Sequence, residues 1–309
     1  MRIAVTGGSG FIGSHVVDHL AAAGHEVMVL DGVPPYRADV GFRRTDITDG
    51  ASVHRGVRGC DAVFHLAAVA DVNEAFQRPA AAVAVNVQGT ANVWEAARDC
   101  GVGRVVLAST VWVYGASCGA SPLTEDAPID LSRAGHLYTS TKISAELIAQ
   151  SYLQLYGLPF TILRYGIPFG PRMRDELVIA RFVRMARAGQ LITIHGDGSQ
   201  VRNYVYVEDL AAAHVLALSD AAENQVFSLE GAEPVSVRRI VEAVRAAVGG
   251  HVGVEFVPAR AGDYAGVAVS AEKARRVLGW TPTTSFEDGV RRYLEWLDDE
   301  DRAAVGAGS

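Results

Sequence analysis

Lysine and cysteine are both scarce in this chain of 309 residues. The cysteines stand at positions 60, 100 and 118 and form no CxxC pair. Their spacing fits neither a disulfide framework nor a structural zinc site, so we expect no metal. Lys142 and Lys273 are the only lysines among 28 lysines and arginines. In this arginine-rich background the position of a lysine is unusually informative.

Long hydrophobic runs and an excess of positive charge are also missing. No stretch of about eighteen uncharged apolar residues occurs, so we expect no transmembrane helix and no membrane partner. The N-terminal sequence MRIAVTGGSGF lacks the basic and apolar regions of a signal peptide, which predicts a cytoplasmic protein. A formal net charge of -7 without basic runs argues against a nucleic-acid partner.

Short apolar runs rich in β-branched residues alternate with alanine-rich helical patterns. The runs are RIAVT (2–6), EVMVLD (26–31), AVFHLA (62–67), RVVLAS (104–109) and FTILRY (160–165). They lack polar alternation, which is typical of parallel strands buried on both faces and joined by crossover helices. The pattern predicts an α/β fold with a Rossmann-type doubly wound parallel sheet. Helices are predicted at roughly 80–98, 137–156, 176–188, 208–219, 237–248 and 286–299.

A glycine-rich turn follows the first predicted strand and precedes an apolar helix. In VTGGSGFIG, Gly7, Gly10 and Gly13 allow the backbone to turn tightly and approach a pyrophosphate at a helix N-terminus. Asp31 ends the second strand, near the spacing at which an acid accepts the ribose 2′-OH. A carboxylate there would repel a 2′-phosphate, so NAD is favoured over NADP. Asp46 is either an adenine ligand or a turn acid.

Two reactive side chains stand four residues apart on one predicted helix. In YTSTK, this spacing places Tyr138 and Lys142 on the same helical face. An ammonium beside a phenol favours the phenolate, which makes the tyrosine a general base near neutral pH.

With this pair downstream of an NAD-binding turn, the chain resembles the extended short-chain dehydrogenase/reductase family, and specifically its nucleotide-sugar epimerases and dehydratases. The resemblance spans nearly the whole chain and rests on TGGSGFIG, FHLAA (64–68), NVQGTANV (86–93), STVWVYG (109–115), YTSTK, GPRMR, GDGSQVRNYVYVEDL (196–210) and ARAGD (259–263). It implies Tyr138 as the base, Lys142 as its modulator and nicotinamide-ribose ligand, and Thr110 as the hydroxyl beside the sugar, with Ser109 as the neighbouring alternative. It also implies a homodimer.

The resemblance further implies a set of binding residues. The expected cofactor ligands, besides Gly7, Gly10, Gly13, Asp31, Asp46 and Lys142, are Phe11, Ile12, Ile47, Leu66, Ala67, Ala68 and Asn86. The expected substrate ligands, besides Thr110 and Tyr138, are Arg174, Arg202, Arg260 and Asp263. Arg202 and Arg260 match arginines that clamp the nucleotide diphosphate, and Arg174 matches one that faces a sugar carboxylate. The alternative is that Arg172 and Arg174 pair with Asp175, Glu176 or the diphosphate. The usual diphosphate-binding asparagine of the family is replaced by Ile167.

The composition changes after residue 165, where glycine, proline and arginine become denser. We predict an NAD-binding domain at 1–165, with 203–231 returning to it. A smaller, interleaved C-terminal α/β subdomain at 166–202 and 232–305 is predicted to hold the nucleotide sugar.

The family resemblance implies a shared first step, in which tyrosinate deprotonates the sugar 4-OH while C4 gives a hydride to NAD+. Dehydratases of the family carry Asp-Glu after the catalytic threonine, whereas this chain has Val111 and Trp112. That departure favours a 4-epimerase acting on UDP-glucose/galactose or UDP-glucuronate/galacturonate. The alternatives are a dehydratase or a UDP-glucuronate decarboxylase on the same scaffold and, second, a non-catalytic NAD(H)-binding sensor.

Overall fold

A central parallel sheet organises the chain. The computed structural model describes residues 1–115, 122–250, 252–258 and 268–307. The strands in these ranges, numbered in chain order, are β1 (Arg2–Thr6), β2 (Glu26–Asp31), β3 (Gly41–Arg44), β4 (Ala62–His65), β5 (Arg104–Thr110), β6 (Phe160–Tyr165), β7 (Ile167–Phe169), β8 (Ile192–His195), β9 (Val201–Tyr206), β10 (Gln225–Leu229), β11 (Pro234–Ser236) and β12 (Val254–Val257). Seven of them form the main sheet, in the order β10-β6-β5-β4-β1-β2-β3 with every pairing parallel. The predicted doubly wound α/β fold is confirmed.

Helices cover both faces of this sheet and the smaller sheets beside it. In chain order the α-helices of the described ranges are α1 (Phe11–Ala22), α2 (Gly50–Val57), α3 (Val72–Gln77), α4 (Pro79–Val83), α5 (Gly89–Asp99), α6 (Leu137–Tyr156), α7 (Val178–Arg187), α8 (Val207–Leu216), α9 (Val237–Val248) and α10 (Phe286–Ala307). Short 3₁₀ turns occupy Val111–Tyr114, Leu131–Arg133 and Asp220–Ala222, and π-helical turns occupy Ala84–Gln88 and Ala274–Leu278.

Alternate residues of each central strand enter opposite cores. In β1, Ile3 and Val5 pack with Leu20 of α1 and Leu210 of α8. Ala4 faces the other side, into a core that contains Trp94 of α5. Because both faces are buried, the strands read as continuous apolar runs in the sequence. Each fully buried Val, Leu or Ile side chain contributes roughly 1.5–3 kcal/mol of transfer free energy.

A second layer lies beyond the carboxyl end of β6. Strands β7, β9 and β11 form a three-stranded sheet, and β8 pairs in parallel with β12. Helices α7, α9 and α10 bury their apolar faces there. In α7, for example, apolar residues repeat at helical spacing (Ile179, Phe182, Val183, Ala186) and so form one buried face.

The prediction that 203–231 returns to the main sheet is wrong for its first strand. Strand β9 pairs with β7 and β11 instead of joining the main sheet, although β10 pairs with β6 at the edge of that sheet. Helix α8 packs on the main-sheet side through Leu210 and Ala211. Strand β9 pairs in parallel with β7, from Ile167 opposite Tyr204 to Phe169 opposite Tyr206.

The predicted helix at 80–98 is interrupted. Ala84–Gln88 form a π-helical turn between α4 and α5. Such turns widen a helix locally and are frequent at functional sites. Here the turn carries Asn86, whose side chain bonds outside the helix, as described below.

Candidate active site

The glycine turn between β1 and α1 has no room for side chains. Gly7 has a φ of 72°, and a Cβ on it would lie 2.6 Å from the backbone nitrogen of Ala67. A Cβ on Gly13 would lie 1.9 Å from the carbonyl oxygen of Gly7. Gly10 is the N-cap of α1 and supplies no side-chain cap, so the first amides of α1 keep their capacity to bind an anion. The turn therefore fits a pyrophosphate, as predicted for a dinucleotide.

Asp31 is held at the rim of this turn. Its carboxylate accepts hydrogen bonds from the backbone N–H of Ser9 (3.1 Å) and of Val33 (3.3 Å). These bonds place a negative charge beside the glycine turn, at the end of β2. A ribose hydroxyl can donate to such a carboxylate, whereas a 2′-phosphate is repelled by it.

Asp46 makes the contacts of a turn acid. Its Oδ1 accepts from the backbone N–H (2.9 Å) and the hydroxyl (2.7 Å) of Thr48, and these bonds lower the pKa of Asp46. The neighbouring Ile47 is buried under α5, and its carbonyl accepts from the Asn92 side chain at 2.8 Å. An adenine contact by Asp46 stays a prediction.

Residues 66–68 follow β4 and face the glycine turn. The N–H of Leu66 donates to the Thr6 carbonyl at 3.1 Å, and the N–H of Ala67 donates to the Thr6 hydroxyl at 3.3 Å. Ala68 continues this segment. Phe11 and Ile12 open α1 on the opposite side of the turn.

Asn86 ties this segment to the catalytic helix. Its Oδ1 accepts from the N–H of Val69 at 2.7 Å, and its Nδ2 donates to the Val69 carbonyl and to the Thr141 hydroxyl, each at 3.0 Å. These bonds hold Val69 and the start of α6 together, and a contact of Asn86 with the cofactor stays a prediction. The π-helical turn gives its side chain this reach.

Tyr138, Lys142 and Thr110 converge where β5 ends. Lys142 Nζ donates to the carbonyl oxygen of Ala108 at 2.9 Å and lies 5.9 Å from the centre of the Tyr138 ring. Thr110 is the last residue of β5, and its hydroxyl accepts from the N–H of Trp112 at 3.2 Å. Ser109, the alternative hydroxyl, instead donates to Glu146 at 2.5 Å. That Thr110, and not Ser109, meets the substrate stays a prediction.

Desolvation controls the protonation of the catalytic pair. It raises the pKa of Tyr138 to about 12, and the positive charge of Arg174 opposes that rise. It lowers the pKa of Lys142 to about 8, and the negative charge of Glu146 opposes that fall. The expected preference for the phenolate is not seen in the protein alone, where desolvation is the largest influence on the pKa of Tyr138. Tyr138 is then a protonated phenol at neutral pH.

Two aromatic side chains lie beside Tyr138, and the sequence did not predict them as part of the site. Trp112 and His136 each lie 6.2 Å from the Tyr138 ring and 5.0 Å from each other, between ring centres. His136 also caps α6, because its ring nitrogen accepts from the N–H of Thr139 at 3.3 Å. Their only sequence signal is proximity, since each stands two residues from a predicted catalytic residue.

Arg174 and Arg172 lie in different surroundings. Arg174 is 3.6 Å from the carboxylate of Asp71, which also caps α3. Arg172 donates to Asp18 at 2.7 Å and stacks over Tyr36 at 4.6 Å. The suggested pairing of these arginines with Asp175 or Glu176 is not seen, because Asp175 pairs with Arg184 at 3.5 Å.

Arg202 lines a cleft beside the catalytic residues. The cleft has a volume of about 270 Å³, and its wall includes Trp112, Ile167 and Glu230. Arg202 Nη1 also donates to the carbonyl of Val201 at 2.7 Å. Arg260 and Asp263, predicted to contact the substrate, lie outside the described residues.

Two kinds of feature are absent from the described ranges. They contain no cluster of three or more His, Cys, Asp or Glu side chains that could hold a metal ion. None of the helices in those ranges is long and apolar enough to span a bilayer.

Comparison with known proteins connects this geometry to a family. A model of the NAD dependent epimerase/dehydratase family matches residues 3–229. UDP-glucose 4-epimerase of Mycolicibacterium smegmatis is 34% identical over 96% of this chain and 98% of that protein. A probable UDP-glucuronate 4-epimerase of Rhizobium meliloti is 31% identical over 98% and 99%. The crystal structure of Thermus thermophilus UDP-glucose 4-epimerase with NAD superimposes with a TM-score of 0.87 at 34% identity, covering 96% of this chain and 99% of that one. The chain therefore belongs to the NAD-dependent epimerase/dehydratase family, and its cofactor is NAD.

Proposed function

We propose that the protein is a 4-epimerase of UDP-hexoses or UDP-hexuronates. The observation that carries this proposal is the convergence of Tyr138, Lys142 and Thr110 at the end of β5, next to the glycine turn. At the positions after Thr110, where elimination chemistry would need acids, the chain has Val111 and Trp112.

The protein's own residues divide the work of the reaction. NAD+, when bound, supplies the hydride acceptor and donor together with a positive charge beside the phenol. Thr110 and Tyr138 would hold the 4-OH of the sugar. The phenolate form of Tyr138, which the positive charges of bound NAD+ and of Lys142 favour, would take the 4-OH proton as the alcohol becomes a ketone. Lys142, fixed on the Ala108 carbonyl, keeps a cation beside the ring. Trp112 and His136 pack against the Tyr138 ring and shield the Tyr138 oxygen from water on one side.

Epimerisation then requires the 4-keto sugar to turn before the hydride returns to its other face. A dehydratase must instead eliminate water, and that step needs an acid and a base close to the sugar. Val111 is 8% exposed, and Trp112 packs against the Tyr138 ring. The site is thus equipped for oxidation and reduction at C4, and these positions supply no acid for elimination.

A uronate is the substrate that would explain Arg174. Its guanidinium lies close enough to influence the pKa of Tyr138, and its partner Asp71 is 3.6 Å away at a half-exposed site. A sugar carboxylate could replace Asp71 as the partner of Arg174 at little cost in free energy, because the existing ion pair is long and partly exposed. Holding that carboxylate would also oppose its loss from the β-keto acid formed at C4.

Product analysis tests the proposed function. We would incubate the purified protein with UDP-glucose and UDP-glucuronate separately and resolve the products by ion-pair chromatography. A C4 epimer from either nucleotide supports the proposal, and formation from the uronate alone supports the role of Arg174. A keto sugar, or carbon dioxide with a pentose, would instead establish the lyase alternative.

We also propose that the chain forms a homodimer through α6. Leu147 and Leu155 of α6 stand eight residues apart on one helical face, and they are 56% and 70% exposed. Tyr156, at the end of α6, is 52% exposed and lies 4.8 Å from the guanidinium of Arg98 of α5. A second copy would cover these side chains. Sedimentation of the Leu147→Glu and Leu155→Glu double variant as a monomer, against a wild-type dimer, would support this proposal.

A further inference from the structure

Glu230 is a buried carboxyl group with an unused oxygen. The residue is 3% exposed. Its Oε2 has no hydrogen-bond partner within the part of the chain that the structure describes. Unpaired buried polar atoms are destabilising, so each one in a native structure calls for an explanation.

The carboxyl group stands in the wall of the cleft that contains Arg202, Trp112 and Ile167. Gly166 makes room for the carboxyl group, and Gly231 lets the backbone after Glu230 approach β9. A Cβ on Gly166 would lie 2.5 Å from Glu230 Oε2, and a Cβ on Gly231 would lie 1.9 Å from the carbonyl oxygen of Tyr204. Glu230 is therefore fixed between the end of β6 and the middle of β9.

Its surroundings favour the neutral acid. Desolvation raises the pKa of Glu230 to about 8, and a hydrogen bond from the Gly231 N–H opposes that rise. On β9, Arg202 is the charged group that shares the cleft, and Tyr204 stays a neutral phenol because desolvation raises its pKa to about 12. The remaining described residues of the wall are uncharged: Val111, Trp112, Ile167, Val201, Asn203, Pro234, Ala268 and Val269.

The position of Glu230 in the cleft suggests its ligand. Trp112 is two residues from Thr110, where the reacting sugar lies under the proposed function, and Arg202 supplies the cleft with a cation for a diphosphate. Ile167, which follows Gly166 in the chain, offers no polar side chain. A carboxylate at this place would repel a diphosphate, whereas a carboxylic acid can donate to a phosphate oxygen or to a hydroxyl.

We propose that Glu230 determines substrate specificity by donating a hydrogen bond from its carboxyl O–H to an oxygen of the bound nucleotide sugar. This inference rests on the proposed function, since the acceptor belongs to that substrate. The bond gives Oε2 the partner that the described residues do not supply. It also couples binding to a proton, because an anionic ligand stabilises the neutral acid further.

Calorimetric titration of the NAD-loaded protein with UDP-glucose and with UDP tests the proposal. Between about pH 6.5 and about pH 9.5, the wild-type Kd should rise above pH 8, by about tenfold for each pH unit, because the ionised form does not donate. Glu230→Gln keeps an N–H donor that cannot ionise, so its Kd should be nearly independent of pH. Glu230→Leu removes the donor and should weaken binding by about 5- to 30-fold at neutral pH.

The two probes locate the acceptor. Equal weakening of UDP and UDP-glucose by Glu230→Leu places the acceptor on the diphosphate, and weakening of UDP-glucose alone places it on the hexose. The matched control is Glu272→Gln, because Glu272 is an exposed carboxylate paired with Arg275. The Kd of this variant should keep the wild-type pH dependence. Circular dichroism confirms that each variant is folded.

Two results would overturn the proposal alone. They are a Glu230→Gln variant with the wild-type pH dependence, and a folded Glu230→Leu variant that binds both probes as tightly as the wild type. Failure of the wild type to bind UDP and UDP-glucose at any pH would instead overturn the proposed function, and this inference with it. Turnover does not enter these measurements, so the two failures are distinguishable.

Discussion

The ammonium of Lys142 donates a hydrogen bond to the carbonyl oxygen of Ala108 at 2.9 Å. That bond joins the catalytic helix α6 to β5 two residues before Thr110. The proposed base and its neighbouring cation thus lie on one helix, and the proposed sugar-binding hydroxyl lies on the strand to which that helix is bonded. The consequences can be measured separately for each residue.

Replacement of Tyr138 by phenylalanine should abolish turnover while leaving NAD bound. The phenol oxygen is the proton acceptor in the proposed reaction, and we expect a loss of at least about 10²-fold to 10⁴-fold in kcat, typical of a lost general base. Tyr156→Phe is the matched control, because Tyr156 lies on the same helix and is 52% exposed. Substantial turnover by Tyr138→Phe would reassign the base.

Lys142 should make the stability of the NAD-free protein depend on pH. Its pKa is lowered from 10.5 to about 8, so between these values the unfolded chain binds the proton and the native protein does not. Stability from this group therefore rises with pH, by about 2 kcal/mol between pH 8 and about pH 10. Urea unfolding of the wild type and of Lys142→Met should show this rise in the wild type relative to the variant. Parallel pH profiles would contradict the lowered pKa.

Removal of the Glu146 carboxylate should destabilise the whole domain. Glu146 and Arg164 form a 2.7 Å ion pair whose side chains are 3% and 5% exposed. Glu146→Ala leaves the arginine charge buried without its partner, at a cost of roughly 3–5 kcal/mol. Glu272→Ala, which breaks the exposed pair with Arg275, should cost less than about 1 kcal/mol. Denaturant unfolding compares the two, and similar losses would show that burial of the pair is unimportant.

Arg174 should discriminate between acidic and neutral sugars. Arg174→Ala removes the cation nearest the proposed carboxylate and should reduce kcat/KM for UDP-glucuronate at least tenfold more than for UDP-glucose, as expected for a charged hydrogen bond of about 1.5–3 kcal/mol. Arg184→Ala is the control, since Arg184 pairs with Asp175 in the same segment at 3.5 Å. Equal losses on both substrates would assign Arg174 to the diphosphate or to structure.

The sequence was most informative where one physical rule decides. Apolar runs identified five of the main-sheet strands within one or two residues, because a strand buried on both faces is apolar along most of its length. The spacing of Tyr138 and Lys142 and the glycine turn were likewise readable, since each follows from local backbone geometry.

Features that depend on distant contacts were not predictable in this way. The side chains of Asp71 and Arg174 meet across about one hundred residues of chain, and no local pattern announces the pair. Glu230 reads as an ordinary acid after a strand, and its burial becomes visible only once β9 has packed against Gly231. Strand β9 pairs with β7 and β11, which are about 30 residues away on either side in the chain, and its own sequence does not select them.

An isotope experiment tests the central claim most directly. UDP-glucose and UDP-glucuronate carrying deuterium at C4 would be incubated with the protein, and the products examined by NMR. The proposed epimerase returns the label to C4, now in the opposite configuration, with the rest of the sugar intact. Deuterium at C6 of a 4-keto-6-deoxy sugar, or in a pentose formed with carbon dioxide, would contradict the account and make the protein a lyase.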